Sequence, residues 1–164
     1  GQNHTVSNLK IDLPGQDNVG FFSRFRDQEG AKKRICNFTL VNVDVKGRAN
    51  VAALVGGNSE GTVSNVTIRG SIKVDGATSG ISRAYTGVVV GGWGYMKFID
   101  VTVDGLDKSE SHVRGGGTDG RYVGGLVGHA DDVKPAEFKG AKVNKQGQLL
   151  VTLPAHSIVT LTIK

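Results

Sequence analysis

One cysteine, three prolines, a single tryptophan and an aromatic content of 6% in 164 residues rule out several common designs. With Cys36 alone, neither an intrachain disulfide nor a multi-cysteine zinc site is possible. Cys36 falls in the β-rich run Ile35–Leu40, where a small buried thiol is expected. Few prolines beside 25 glycines, with no triplet period, exclude collagen and argue against disorder. No apolar run approaches eighteen residues, so no membrane-inserted helix is expected. No stretch of good helix formers reaches ten residues. No secretion leader is evident, and Gly1 opens directly into strand-like sequence; the chain reads as a mature or excised piece of a larger protein. The net charge of +5 is scattered, with Lys32-Lys33-Arg34 as its only cluster. A nucleic-acid binder carries a denser basic stripe with interleaved aromatics, so nucleic acid is not an expected partner.

What the chain does have is a repeat. Thr5-Val-Ser-Asn-Leu-Lys-Ile11, Arg34-Ile-Cys-Asn-Phe-Thr-Leu40, Thr62-Val-Ser-Asn-Val-Thr-Ile68 and Lys97-Phe-Ile-Asp-Val-Thr-Val103 begin alike. Aligned, Val6, Ile35, Val63 and Phe98 form one apolar column; Leu9, Phe38, Val66 and Val101 form a second; Ile11, Leu40, Ile68 and Val103 form a third. Asn8, Asn37, Asn65 and Asp100 share one polar position, at intervals of 29, 28 and 35 residues. A second signature follows in each unit, with Gly20, Ala52, Gly87 and Gly124 in a small-residue column and Phe22, Leu54, Val89 and Leu126 beside it. Units of two short strands and glycine turns cannot bury an apolar side alone, but stacking them in register buries a continuous core. The expected fold is all-β: a right-handed parallel β-helix of about four coils over residues 1–132, followed by a C-terminal β-hairpin or cap over 133–164. The Asn/Asp column is expected as an inward ladder of amides at a corner. The glycine column is expected where φ is positive or backbones approach closely. Asn3-His-Thr, Asn37-Phe-Thr and Asn65-Val-Thr also match the N-glycosylation acceptor pattern, but an inward ladder favours the structural role.

Gly125-Leu126-Val127-Gly128 resembles the GLUG repeat, named for its Gly-Leu-apolar-Gly core. Val89-Val90-Gly91 and Leu54-Val55-Gly56 match in part, and Gly20-Phe21-Phe22-Ser23 departs most. The resemblance covers roughly residues 5 to 130 and implies a structural module of large bacterial surface proteins, such as adhesins, immunoglobulin A proteases and modular carbohydrate-active proteins. No catalytic role attaches to such repeats. In the tail, Leu149–Leu153 and Ile158–Ile163 flank Pro154-Ala-His-Ser157, as in a hairpin. That stretch looks like the closing strands of the β-sandwich that ends many glycoside hydrolases, the α-L-arabinofuranosidases among them.

The search for chemistry yields no catalytic site, no metal site and no cofactor. A column of Lys10, Thr39, Thr67 and Thr102 is expected to be exposed and is poor in acids, unlike the paired carboxylates of a glycosidase. The distance from the ladder residue to the second signature grows from 10 to 13, 21 and 22 residues, placing loops at 69–85 and 104–121 on one corner. Glu110 with His112 is conceivable as an acid/base pair, though a solvated loop accounts for both. Asp104 and Asp107 lack the spacing of a calcium loop. Trp93 and Tyr95, in a glycine turn, are candidates to stack on sugars or on protein partners. Loops on one face of a repeat scaffold are its usual binding surface, which makes Trp93, Tyr85, Arg114, Arg121 and Tyr122 the expected ligand contacts. The expected function is a non-catalytic, secreted or cell-surface bacterial module. It would serve adhesion, glycan binding or display, with a glycan or a host or cell-surface protein as partner. The alternative is a polysaccharide-acting enzyme or an accessory domain of a glycoside hydrolase. A groove with paired acids would favour the alternative; a flat aromatic patch would favour binding.

Overall fold

A computed structural model of the chain describes residues 1–25, 34–57, 59–92 and 94–129, and the two strands Ala141–Val143 and Leu149–Val151. The chain divides into two compact units, Gly1–Asp132 and Val133–Lys164. In chain order the first unit carries β1 (His4–Asp12), β2 (Phe22–Arg24), β3 (Arg34–Lys46), β4 (Val51–Ala52), β5 (Val55–Gly57) and β6 (Ser59–Asp75). It continues with β7 (Thr86–Gly87), β8 (Gly94–Asp104), β9 (His112–Arg114) and β10 (Val123–Gly124), with one 3-10 turn at Gly117–Asp119. The second unit holds β11 (Ala141–Val143) and β12 (Leu149–Val151), an antiparallel pair. Leu149–Val151 is therefore a hairpin strand, but its described partner is Ala141–Val143. The run 158–163 lies outside the described residues.

The fold is all-β, and every strand pair in the first unit is parallel. The main sheet runs β1-β3-β6-β8, with β9 also on β6; β10-β7-β4 and β2-β5 form smaller sheets. Parallel pairing of successive repeats sets like residues level with like. Val6, Leu40, Ile68 and Val103 share one inward column, and Ile11, Val45, Val74 and Val113 another. The core is built from these columns and from the second signature: Leu40, Leu54, Ile68, Ile72, Val74 and Val89 are all fully buried.

Repeats two to four pair as the sequence suggests, with Ile35 level with Val63 and Phe98, and Phe38 with Val66 and Val101. The first repeat is displaced by five residues: Val6 lies opposite Leu40, not Ile35, and Leu9 opposite Val43. The cause is legible in β3, where Ile35-x-Asn37-Phe38-x-Leu40 is followed by Leu40-x-Asn42-Val43-x-Val45. Val6-x-Asn8-Leu9-x-Ile11 matches both halves equally well, so pattern alone cannot choose. As a result Thr5, not Lys10, tops the threonine column with Thr39, Thr67 and Thr102. Phe22 is displaced too, facing Val55 and not Leu54.

The asparagine column is two columns, and neither points inward. Asn3, Asn37, Asn65 and Asp100 occupy one level and Asn8 and Asn42 another, all six exposed. Every one has positive φ, between 49° and 60°. Asparagine and aspartate tolerate the left-handed region better than other side-chained residues, so they serve here as bends in the strand. The amides do stack: Asn65 Nδ2 donates to Asn37 Oδ1 at 3.0 Å, Asn42 Nδ2 to Asn8 Oδ1 at 3.2 Å, and Asn50 Nδ2 to Asn18 Oδ1 at 2.9 Å. In β6 the second bend falls to Gly70, φ 85°, whose neighbour Ser71 donates its N–H to Asn42 Oδ1 at 3.1 Å.

Gly87 and Gly124 do not have positive φ, but both sit in tight backbone contact: a Cβ on Gly87 would lie 2.6 Å from the Gly128 nitrogen. Residues 69–75, expected in a loop, continue β6, because Ile72 and Val74 alternate inward against Val43 and Val45. Cys36 is only half-buried and lines an apolar recess with Phe21, Phe22, Phe25, Ile35 and Phe38.

Candidate functional site

The two insertions lie side by side. Backbone N–H groups of Gly116, Gly117, Thr118 and Asp119 donate to carbonyls of Ala84, Ala77, Ile81 and Ser82 at 2.8–3.0 Å. The second insertion can follow the first this closely because Gly116 and Gly117 take φ of 92° and 65°. A side chain on Gly117 would meet the Ile81 carbonyl at 2.6 Å.

Strand pairing then stacks two tyrosines. Tyr85 precedes β7 and Tyr122 precedes β10, so both occupy the level that Asn18 and Asn50 hold in earlier repeats. Their carbonyls accept from the N–H groups of Val51 and Thr86, each at 2.9 Å. The rings meet edge-to-face with centroids 4.8 Å apart. His129 packs on Tyr85 at 4.8 Å and near Tyr122 at 6.0 Å. The Arg83 guanidinium stands 5.6 Å from the Tyr122 centroid, a cation–π distance, and 3.8 Å from the Asp119 carboxylate. A hydrogen bond from Arg83 to Tyr85 raises the arginine above its ordinary value, with Tyr122 and Asp119 adding to the effect.

Of the five expected contacts, Tyr85 and Tyr122 come together and Arg121, exposed, is the residue before Tyr122. Arg114 belongs elsewhere: it ends β9, level with Asp75 on the outer face of the main sheet. Trp93 lies outside the described residues. Tyr95 is 65% exposed on β8, level with Glu60. Sequence reasoning missed Arg83 and His129, and had Asp119 only as one of several charged residues in the insertion at 104–121. Arg83 carried a signal, since residues two apart along an extended segment share a side with each other. His129 carried none, because only the fold sets it beside the tyrosines. Glu110 and His112 do not pair: His112 Nε2 lies 3.0 Å from Asp75 Oδ2, and Glu110 accepts from the Ser109 hydroxyl. Among the described residues no group of three metal-ligating side chains occurs, and no helix is long and apolar enough to cross a membrane.

No family model and no solved structure matches the chain. It is 41% identical over 81 residues to halomucin of Haloquadratum walsbyi, a match covering 49% of this chain and 1% of that protein. The chain thus spans a very small part of the relative's length.

Proposed function

We propose that the chain is a non-catalytic extracellular module of a much larger surface protein, built as a right-handed parallel β-helix of GLUG-type repeats. The match to about 1% of halomucin fits a module within a long chain. In-register parallel pairing across four successive repeats supports the β-helix, since one short strand per level per repeat is what a coil contributes. The corner at Tyr85 and Tyr122 is its ligand-contact surface, and a glycan is the proposed ligand. The observation that carries this reading is the Tyr85–Tyr122–His129 stack with the Arg83 guanidinium over the Tyr122 ring. Aromatic faces take the apolar faces of sugars, while guanidinium groups supply directional donors to hydroxyl and carboxylate oxygens.

The test is a glycan array followed by calorimetry on any hit. Tyr122→Ala and Arg83→Ala should each weaken binding about tenfold or more, the usual behaviour of an aromatic or arginine anchor. Tryptophan fluorescence of the parent, whose single tryptophan is Trp93, and calorimetry of Trp93→Ala report whether the surface extends to that residue. A bona fide ligand that binds parent, Tyr122→Ala and Arg83→Ala equally would place the site elsewhere.

A further inference from the structure

The bends at Asn37 and Asn65 carry more chemistry than a bend requires. Each is followed two residues on by a threonine, Asn37-Phe-Thr39 and Asn65-Val-Thr67, the acceptor pattern for an N-linked glycan. An inward ladder would bar that use, but both asparagines are exposed. Their φ angles of 58° and 49° account for the bend and not for the amide. Asp100 makes the same bend at 52° with a carboxylate, and Gly70 makes the corresponding one at 85° with no side chain. Nor does the bend demand the threonine. Asn8, Asn18, Asn42 and Asn50 also have positive φ, and two residues after them stand Lys10, Gly20, Asp44 and Ala52. Amide and hydroxyl coincide only in the column that Asn37 and Asn65 share with Asn3. In the fourth repeat Thr102 follows Asp100, a hydroxyl without an amide.

The hydrogen bonds leave amide nitrogen available for reaction. Asn65 Nδ2 donates one hydrogen to Asn37 Oδ1 at 3.0 Å and keeps its second. Asn37 takes part in that bond through its oxygen, so its own nitrogen is not engaged by it. We infer that Asn37 and Asn65 are acceptors for N-linked glycans, donated by a lipid-diphosphate-linked oligosaccharide outside the cytosol. This rests on the extracellular reading of the chain. In the transfer, Nδ2 forms a bond to the anomeric carbon as the C–O bond to the diphosphate breaks. The lipid diphosphate leaves with the electron pair, and Nδ2 releases one proton. The modified amide retains its other N–H, so Asn65 still donates to Asn37 and the stack survives the modification. Thr39 and Thr67 lie level on adjacent strands, so the two glycans leave neighbouring rows about 4.8 Å apart. A glycan is bulky and hydrophilic, and an exposed bend gives it solvent to occupy.

Peptide mapping by tandem mass spectrometry, on the intact chain produced by its native cells, tests this. Cleavage after lysine and arginine gives fragment 35–46, with Asn37 and Asn42, and fragment 49–69, with Asn50 and Asn65, so each fragment contains its own control. Sugar mass should be found on Asn37 and Asn65 and be missing from Asn42 and Asn50. Thr67→Val keeps the bend, the amide and a strand-forming side chain, with circular dichroism confirming the fold. It should abolish the modification of Asn65 and leave that of Asn37, and Thr67→Ser should restore it. A chain recovered outside the cell with both asparagines bare overturns this inference and leaves the extracellular reading standing. A chain retained in the cytosol overturns both. Sugar on threonine hydroxyls instead, or on Asn65 in Thr67→Val, also overturns the assignment.

Discussion

At the scale of single residues, the bends and the close backbone approaches are what hold the repeats in register. Asn65 is exposed with φ 49°, so its role is conformational more than one of burial. Asn65→Leu forces a branched side chain into the left-handed region and should cost about 1–2 kcal/mol. Asn65→Gly, which loses the same amide bond to Asn37 but adopts that φ freely, should cost distinctly less. Denaturant melts of the two variants check this; equal losses would assign the effect to the amide bond and not to the backbone. Gly87 is constrained by space and not by φ. A Cβ there meets the Val90 carbonyl and the Gly128 nitrogen, so Gly87→Ala should destabilise by about 3 kcal/mol, near the upper end for overpacking. Ala52, at the same level one repeat earlier, already carries a Cβ. The site's intolerance is therefore set by the Val90 carbonyl of its own repeat together with Gly128 of the repeat that follows, and a thermal melt of Gly87→Ala superimposable on the parent would exclude those contacts.

At the scale of elements, the turns between strands are pinned by side chains from neighbouring repeats. Arg48, ahead of β4, forms a two-pronged pair with Asp17, ahead of β2, at 2.7 Å on both prongs. The arginine's hydrogen bonds hold the Asp17 carboxyl below its ordinary range, outweighing the opposing effect of partial burial. A depressed folded value means the pair stabilises above the unfolded pKa of about 3.9 and is lost as pH falls through the folded one. Chemical denaturation of the parent should therefore weaken more steeply below about pH 4 than that of Asp17→Asn. Parallel slopes for the two proteins would show that the pair contributes nothing measurable, as some exposed pairs do. The same logic of neighbour on neighbour explains the insertions. Each glycine-turned segment lies against the one before it, and that contact brings Asp119 within 3.8 Å of Arg83.

At the scale of the first unit, stability is distributed by position in the stack. β3 and β6 have a paired strand on each side and inner faces of fully buried Leu40, Val45, Ile68 and Val74. Among the described residues β1 has one neighbour, and β10 ends its sheet with Val123 37% exposed. When repeats contact chiefly their neighbours, the ends open before the middle. Amide hydrogen exchange followed by mass spectrometry should find the slowest exchange in 38–45 and 63–74, with β1 and β10 exchanging first at low protein concentration. Uniform protection across all four repeats would instead mean that the unit opens as one body.

The sequence by itself determined the class of fold and the pairing of repeats two to four. Valine, isoleucine and threonine at two-residue alternation, with a polar residue at one level, have few other ways to bury their apolar side. It also determined that the second signature lies level from repeat to repeat, with Ala52, Gly87 and Gly124 in one column. Only the tertiary structure decided where the first repeat sits, because Val6–Ile11 fits both halves of β3 and local pattern is degenerate under a five-residue shift. Only the structure turned the asparagines outward, since a residue chosen for its backbone angle looks in sequence like one chosen for its amide. The candidate site divides the same way. Tyr85 and Tyr122 were legible because each precedes a strand of the second signature. Their neighbours were not, since Arg83, Asp119 and His129 meet through loops whose path is set by hydrogen bonds between insertions and by glycines at positive φ.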